Sequence, residues 1–459
     1  MQTILYKIAL GGLKMDERLM KIDPITRAEC RADRRRIREE YGNEVAKIIG
    51  HEASEELKLF MMVYDERILE WFANLWDPEI GGFYYSNSAR DTEGYLPDIE
   101  STVQALNGLQ NAGVLGAKKT FPEQIQKKLL SFAKSLQDKD DGFFYHPQWG
   151  KDVGISRRGR DLSWALDVIR SLGDEPNYPT PLKRAESKTD STLPSYLKST
   201  DAFKEYLAGF DLEKDSYFVG NLIQSQAIQI KAAGEEYANI LFEWYEKHQR
   251  PDNGVWQEAV NYHGANGLMK ICLSYSAFRR PLPHATEAMK YAVDVAMSDR
   301  FIHFCCQFYN PLVTIRMLLE NLELSGATKE REEAYAKLLE LAPALIRRTK
   351  EKVLTCKRED GSFSYNHNCT AYTSQGAPVA LYGEPEGDVN GTCISSTGTI
   401  FSLCRALGIP NAPIYGARDK EAFLELWTNA TQKKKLNPKP RDLYFGNPVD
   451  KTKFCSNIG

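Results

Sequence analysis

The chain has 459 residues, 42% apolar and 26% charged, an ordinary balance for a globular protein. Its 59 Lys and Arg against 62 Asp and Glu leave a net charge of −3, which gives no drive toward nucleic acid or an anionic membrane surface. No run approaches the ~18 apolar residues of a membrane span. The nine cysteines, odd in number with Cys305 and Cys306 adjacent, read as reduced thiols rather than a disulfide framework.

At the start, Ile8-Ala9-Leu10 is broken by Gly11-Gly12 with no small-residue cleavage site after it. That is a poor signal peptide, and a cytoplasmic location is expected. The basic stretch from Arg31 to Arg36 is interleaved by Glu29, Asp33, Glu39 and Glu40, as on a solvated, salt-bridged helix. Residues 1–56 form a helical extension in this reading. The first outer helix is expected at 57–76, where Phe60, Tyr64, Ile68, Trp71 and Leu75 recur three or four apart. An inner helix follows near 98–112, opened by Pro97 and closed by Gly113.

Further inner helices are expected near 161–172, 219–233, 262–278, 309–324 and 395–407. Their outer partners fall at about 122–136, 235–248, 285–296 and 329–354. The stretch 174–200, rich in Pro, Ser, Thr and Lys, reads as a lid-like or mobile loop. Residues 411–459 are expected to supply one helix and an extended tail that wraps the outside.

A short phrase recurs between these helices: an acidic turn, a glycine and an aromatic or apolar residue. The copies centre on Gly82, Gly142, Gly254 and Gly361, spaced 60, 112 and 107 residues apart. The long gaps are each close to twice the short one, which gives a period of roughly 55 residues with two copies blurred. One supersecondary unit used repeatedly buries its apolar face against its neighbours.

The Leu136-Gln137…Asp141-Gly142-Phe143 pattern, with a helix such as Glu100…Val103-Gln104-Ala105-Leu106, resembles the repeats of the terpenoid-cyclase and protein-prenyltransferase toroid. The resemblance covers about residues 57–410. It implies an all-α toroid of about six helical hairpins around a central cavity, with short β-edges at the glycine turns. Alginate- and heparin-type polysaccharide lyases resemble the same toroid. An open helical solenoid is the alternative architecture.

The chemistry must come from polar residues at the inner-helix starts. Asp138-Lys139-Asp140-Asp141 spells the acidic motif of proton-initiated terpenoid cyclases, but it falls in a repeat turn where acids cap the bend. His367-Asn368-Cys369 is the only close His/Cys pair and there is no Cys-x-x-Cys, so neither a metal nor a cofactor is expected.

Eliminative cleavage of a uronate sugar needs three things: a carboxylate neutraliser, a base and an acid. Toroidal lyases are similar in supplying Asn, His or Arg for the first and Tyr, often with His, for the protons. On that resemblance Tyr309 and His263 are the catalytic candidates, 46 residues apart. Asn221 lies 42 residues before His263 and would, with Arg160, neutralise the carboxylate. Asn261, Tyr262, Asn310, His303, Tyr365 and His367 complete the binding set. Those families carry Asn and His adjacent, whereas Tyr262 intervenes here, which weakens the role of Asn261.

A glycoside hydrolase using Asp98, Glu100 and Asp161 is the competing reading, although acids at helix starts are favoured by the helix dipole alone. A glycan-binding toroid without turnover and a terpenoid cyclase-like enzyme are further alternatives. Tyr84, Tyr85, Tyr145, Trp149 and Trp256 read equally as sugar platforms or repeat packing. The expected partner is a carbohydrate, with no nucleic acid and no membrane.

Overall fold

The structure, a computed structural model, describes residues 17–186 and 194–436. Helix makes up 62% and strand 4%, and among the described residues the strands form only two two-stranded pieces. The fold is all-α.

The chain opens with α1 (Pro24–Ile49), α2 (His51–Met61) and α3 (Glu66–Leu75). The single outer helix expected at 57–76 is therefore two. The Asp65 side chain accepts from the Arg67 amide at 3.0 Å and starts a new helix there. A hairpin of β1 (Trp76–Asp77) and β2 (Gly82–Phe83) leads to α4 (Asn87–Asp91), α5 (Ile99–Asn111), α6 (Glu123–Ser135) and α7 (Ile155–Ser171). Then come α8 (Pro181–Glu186), α9 (Thr200–Ala208), α10 (Leu212–Ser225), α11 (Ala227–Ala233) and α12 (Glu235–His248). The last third holds α13 (Tyr262–Phe278), α14 (Ala285–Met297), α15 (Cys306–Leu324) and α16 (Thr328–Leu354). After β3 (Thr373–Ser374) and β4 (Ala377–Pro378) come α17 (Val389–Cys393), α18 (Thr399–Ala406) and α19 (Ala417–Thr428).

Several boundaries differ from the expected ones. Helix α10 begins at Leu212, where Asp211 accepts the Lys214 amide at 3.0 Å, and is broken at Asp215, whose side chain accepts the Phe218 amide at 2.9 Å and restarts it a few residues ahead of the expected 219. Asn221 therefore lies inside the helix and caps nothing. Helix α15 begins at Cys306, ahead of Tyr309, and carries Pro311 inside it. The 174–200 stretch contains α8 and a short 3₁₀ turn, Ser195–Leu197; residues 187–193 lie outside the described residues. So does the tail beyond 436. Its described part runs along the first hairpin, where the Leu436 amide donates to the Asp91 carbonyl at 2.8 Å.

The repeated turns explain the glycine spacing. Gly81, Gly142, Gly254 and Gly361 all have positive φ, from 70 to 89°, so the first copy is centred on Gly81 rather than Gly82. In each, the glycine amide donates to a carbonyl three or four residues earlier. An added Cβ would strike neighbouring backbone: Lys128 of α6 for Gly81, Pro179 for Gly142, Ala288 of α14 for Gly254, and Arg67 and Ile68 of α3 for Gly361. Two of the turns are bridged by a glutamine at the same place in the repeat. Gln137 donates to the Gly142 and Tyr178 carbonyls, and Gln249 donates to the Gly254 and Pro283 carbonyls.

Helix α5 packs on α7, α10 on α13, α13 on α15 and α15 on α18. Helices α10 and α13 approach closely because Gly267 meets Ser216, where a Cβ would overlap the hydroxyl at 1.8 Å. Helix α17, near the end of the chain, packs on α5, near its beginning. The Val389 amide donates to the Tyr85 carbonyl at 2.9 Å. Outside these, α1 and α19 pack on each other, and the buried Arg34 guanidinium joins Glu66 of α3 to Asp419 of α19.

Candidate functional site

The starts of the helices expected to be inner are built by caps. Asp98 caps α5 through the Ser101 amide (3.0 Å), Asn261 caps α13 through Gly264 (2.9 Å), and Asp388 caps α17 through Gly391 (2.7 Å). The side chains of Asp98 and Asn261 are thus committed to satisfying helix N–H groups that would otherwise be orphaned.

Beside the α5 cap sits a buried ion cluster around Arg157, a residue the sequence reading passed over. Its guanidinium reaches Asp98, Glu100 and Asp161, each at 3.0 Å, and stacks 4.9 Å from the Trp149 ring. Glu100 also takes Arg160 at 2.8 Å and the Ser374 hydroxyl at 3.0 Å. Burial opposes charge on Arg157, but the three carboxylates outweigh it and hold the guanidinium ionised. Two guanidinium groups cannot balance three carboxylates, and burial pushes Asp161 up to about 7, so the cluster approaches neutrality through that acid. Next to it, burial brings His146 down to about 4. As a neutral ring it donates from Nε2 to the Pro97 carbonyl at 2.9 Å.

A second group surrounds Cys306 at the first turn of α15. Its Sγ lies 3.4 Å from the Tyr365 hydroxyl. Tyr365 is placed by strand-like pairing of 303–305 with 365–367: the Cys305 amide donates to the Tyr365 carbonyl and the His367 amide to the His303 carbonyl, each at 2.8 Å. The Tyr365 amide in turn donates to the buried Asp388 at 2.8 Å, whose carboxyl burial pushes up to about 6.

Across from Cys306, Lys270 of α13 lies over the Tyr217 ring of α10 at 5.9 Å. Burial lowers Lys270, the charge of Arg160 lowers it further, and Cys306 opposes them. Burial likewise raises Tyr217 and Tyr309. No carboxylate among the described residues pairs with Lys270. Arg160, 44% exposed, shares its one carboxylate with Arg157. Two cations thus converge on one region with the phenols of Tyr217 and Tyr365 and the thiol of Cys306.

The other expected residues scatter around this region. His263 is exposed, its Nε2 3.4 Å from Asp215 of α10. Tyr309 packs toward Gly398 at the start of α18, where an added Cβ would lie 3.5 Å from its ring, and it also feels the charge of Cys306. His263 and Tyr309 therefore sit on packed neighbours, α13 and α15, yet engage opposite flanks, α10 and α18. Asn310 donates to Asn266 at 3.0 Å between the same two helices and is buried. Tyr262 is buried away from the cluster, its hydroxyl on the Arg300 carbonyl at 3.2 Å with Lys352 over its ring. Asn221 is exposed on α10. His303 and His367 flank the exposed Phe301, with ring centroids 4.9 and 4.5 Å from it.

Of the proposed sugar platforms, Tyr84, Tyr85 and Trp256 are buried in repeat packing, and Tyr145 bonds the turn acid Asp141 at 2.8 Å. Asp138 caps its own turn through the Asp140 and Asp141 amides.

Lys270 had a legible signal. It is the one charge in the apolar run Leu268-Met269-Lys270-Ile271-Cys272, and it sits two helical turns after His263 on the same face. Cys306 had none, and Tyr365, although among the candidates, gave no sign of its contact with Cys306, which spans 59 residues.

Two hollows of about 230 and 380 Å³ lie elsewhere, one between Tyr84 and the tail lysines and one beside Phe210, His248 and Trp256. Among the described residues no group of three or more potential metal ligands occurs, and no helix is long and apolar enough to cross a membrane. Comparison with protein-family models, with curated proteins and with solved structures gives no match to this chain.

Proposed function

We propose that the helices close into an α/α toroid and that its centre is a lyase site for uronate-containing sugars, cleaving by β-elimination. Closure is supported by the Gly361 turn lodging against α3 and by α17 packing on α5, which join the end of the array to its start. The lyase reading rests on one observation: Arg160 and Lys270 converge without a full set of carboxylate partners. Placed among phenols, they suit an anionic substrate. A carboxylate between them would be neutralised, and the charge that builds on it as the adjacent C–H ionises would be stabilised.

His263 serves as base in this reading, oriented by Asp215. It lies seven residues, or ~10 Å along the helix, from Lys270 and on the same face, so the long Lys270 side chain has to reach back toward His263 for the two to meet the adjacent C5 hydrogen and carboxylate. The base abstracts the proton α to the carboxylate, the electron pair forms the C4–C5 double bond, and the C4–O bond breaks. Tyr217, whose phenol burial keeps protonated, gives its proton to the leaving oxygen. The acid role moves from Tyr309 to Tyr217 because Lys270 lies over the Tyr217 ring, whereas Tyr309 packs toward Gly398 at the start of α18. The hydrolase reading loses ground for a similar reason: Asp98, Glu100 and Asp161 are spent on Arg157.

The test is incubation with polygalacturonate, alginate and heparan-type oligosaccharides, followed by ultraviolet absorbance and mass. An unsaturated uronate should appear, and Lys270→Met should reduce its rate by ~10²-fold or more. Products heavier by one water, or a fully active Lys270→Met, would overturn it.

A further inference from the structure

The first hairpin and the tail enclose a hollow of about 230 Å³ that the sugar reading leaves unused. Trp76, Asp77 and Tyr84 line it from the hairpin, Arg90 from α4, and Lys433 to Lys435 from the tail. The tail is pinned on both sides of these lysines' backbone. Arg18 donates to the Lys434 carbonyl, and the Leu436 amide donates to the Asp91 carbonyl at 2.8 Å.

The charges around the hollow do not balance. Asp91 accepts from Arg90 at 2.9 and 2.7 Å and from Arg18 at 3.2 Å. Asp77 accepts the Glu79 and Ile80 amides and the Tyr84 hydroxyl, at 2.8 to 3.0 Å. Five cations, Arg18, Arg90, Lys433, Lys434 and Lys435, thus meet two acids, and among the described residues none of the lysines forms an ion pair with either. Lys435 reaches only the carbonyls of Ala89 at 3.3 Å and Tyr95 at 3.4 Å, with the Tyr84 ring 4.1 Å away. Lys433 has less: its Nζ is shut off from solvent and makes no hydrogen bond among the described residues. An ammonium taken out of water without a partner is unstable unless an anion joins it. Burial lowers both lysines to about 8, which leaves them protonated at neutral pH.

We propose that this hollow binds a phosphate dianion, free or as a monoester, between Lys433 and Lys435. The ligand class follows from the donors. Ammonium groups are compact point charges with donors in several directions, which suits a small, multiply charged group bearing several acceptor oxygens. A carboxylate is held best by a guanidinium fork, and the Arg90 fork is already filled by Asp91 and Asn87. The surplus of positive charge also exceeds what one monoanion cancels. Bound phosphate would fasten the tail to the first hairpin. Neither Arg160 nor Lys270 takes part, so the site is independent of the lyase reading.

The native full-length protein is titrated calorimetrically with inorganic phosphate and with glycerol 3-phosphate, at an ionic strength held constant with sodium chloride. Saturable binding should appear with a Kd of ~1 mM or tighter. Lys433→Met and Lys435→Met should each weaken it by ~10-fold, the size of one charge-assisted contact, with the helical circular dichroism unchanged. Tighter binding of the monoester would assign the site to an organic phosphate, and equal binding to the free anion. No saturable binding of either, or binding that survives both substitutions, would overturn the proposal. Should a variant fail to fold, acetylation of the parent protein decides, read by peptide mass. Phosphate should slow the reaction at Lys433 and Lys435 but not at Lys329, whose side chain is 84% exposed; unchanged rates at the two tail lysines would overturn it. Absence of sugar cleavage would remove the lyase reading and leave this site standing, and absence of phosphate binding would do the reverse.

Discussion

Arg157 shows how single residues set the character of this interior. A guanidinium wholly out of water is tolerated because three carboxylates surround it, and the surplus acid is neutralised by holding a proton. The sign of the resulting pH dependence follows. Burial pushes Asp161 and, separately, Glu386 up to about 7, above the ~4 of an unfolded carboxylate. Their stabilising contribution is complete below ~4 and is lost as pH rises toward 7, because the folded chain then holds protons that the unfolded chain has released. The urea midpoint should therefore fall between about pH 4 and pH 7. Asp161→Asn copies the protonated form, so the variant should show a smaller fall than the parent. A shift of ~3 units sets a ceiling of ~4 kcal/mol on that difference. An unchanged slope would mean that Asp161 is ionised throughout.

At the scale of elements, the repeated turn is the unit that sets spacing. Gly254 has φ of 70°, and a Cβ there would sit 2.3 Å from the Ala288 amide nitrogen at the start of the next outer helix. Gly254→Ala should destabilise by ~2–4 kcal/mol, combining the positive-φ penalty with a shifted helix contact. Gly234→Ala is the control: its φ of 117° carries the backbone penalty, but a Cβ would meet nothing within 4 Å. Urea unfolding should rank Gly254→Ala as the worse of the two. This turn was readable in the chain because its chemistry is local: an acid, a glycine and an aromatic within a few residues. Which glycine carries the first copy was not, since Gly81 and Gly82 differ only in backbone conformation. Helix starts were misjudged for the same kind of reason. Asp211 and Asp65 look like any surface acid until their side chains are seen to accept backbone amides.

The proposed closure belongs to the whole molecule. The contacts of α17 with α5 and of the Gly361 turn with α3 bring together segments some 290 residues apart. A closed array should have a radius of gyration near the ~23 Å of a compact chain of this length. Small-angle scattering giving a clearly larger value, with the elongated profile of an open superhelix, would reject the toroid.

The sequence by itself determined the all-α class, most outer helices and the turns that separate them, because each depends on periodicity or on neighbours within a few residues. It also placed Arg160, Glu100, His263 and Tyr365 among the candidates, as polar residues near inner-helix starts. Only the tertiary structure decided what those residues do. Asp98 and Asn261 became caps, Tyr262 turned into the core, His263 and Tyr309 faced opposite neighbours, and Lys270, Cys306 and Tyr217 came together from separate helices. Side-chain direction on a helix turns by ~100° per residue, so an error of a few residues in a helix start redirects every candidate. The partners that give a charged or nucleophilic group its chemistry lie tens to hundreds of residues away, where no local pattern records them.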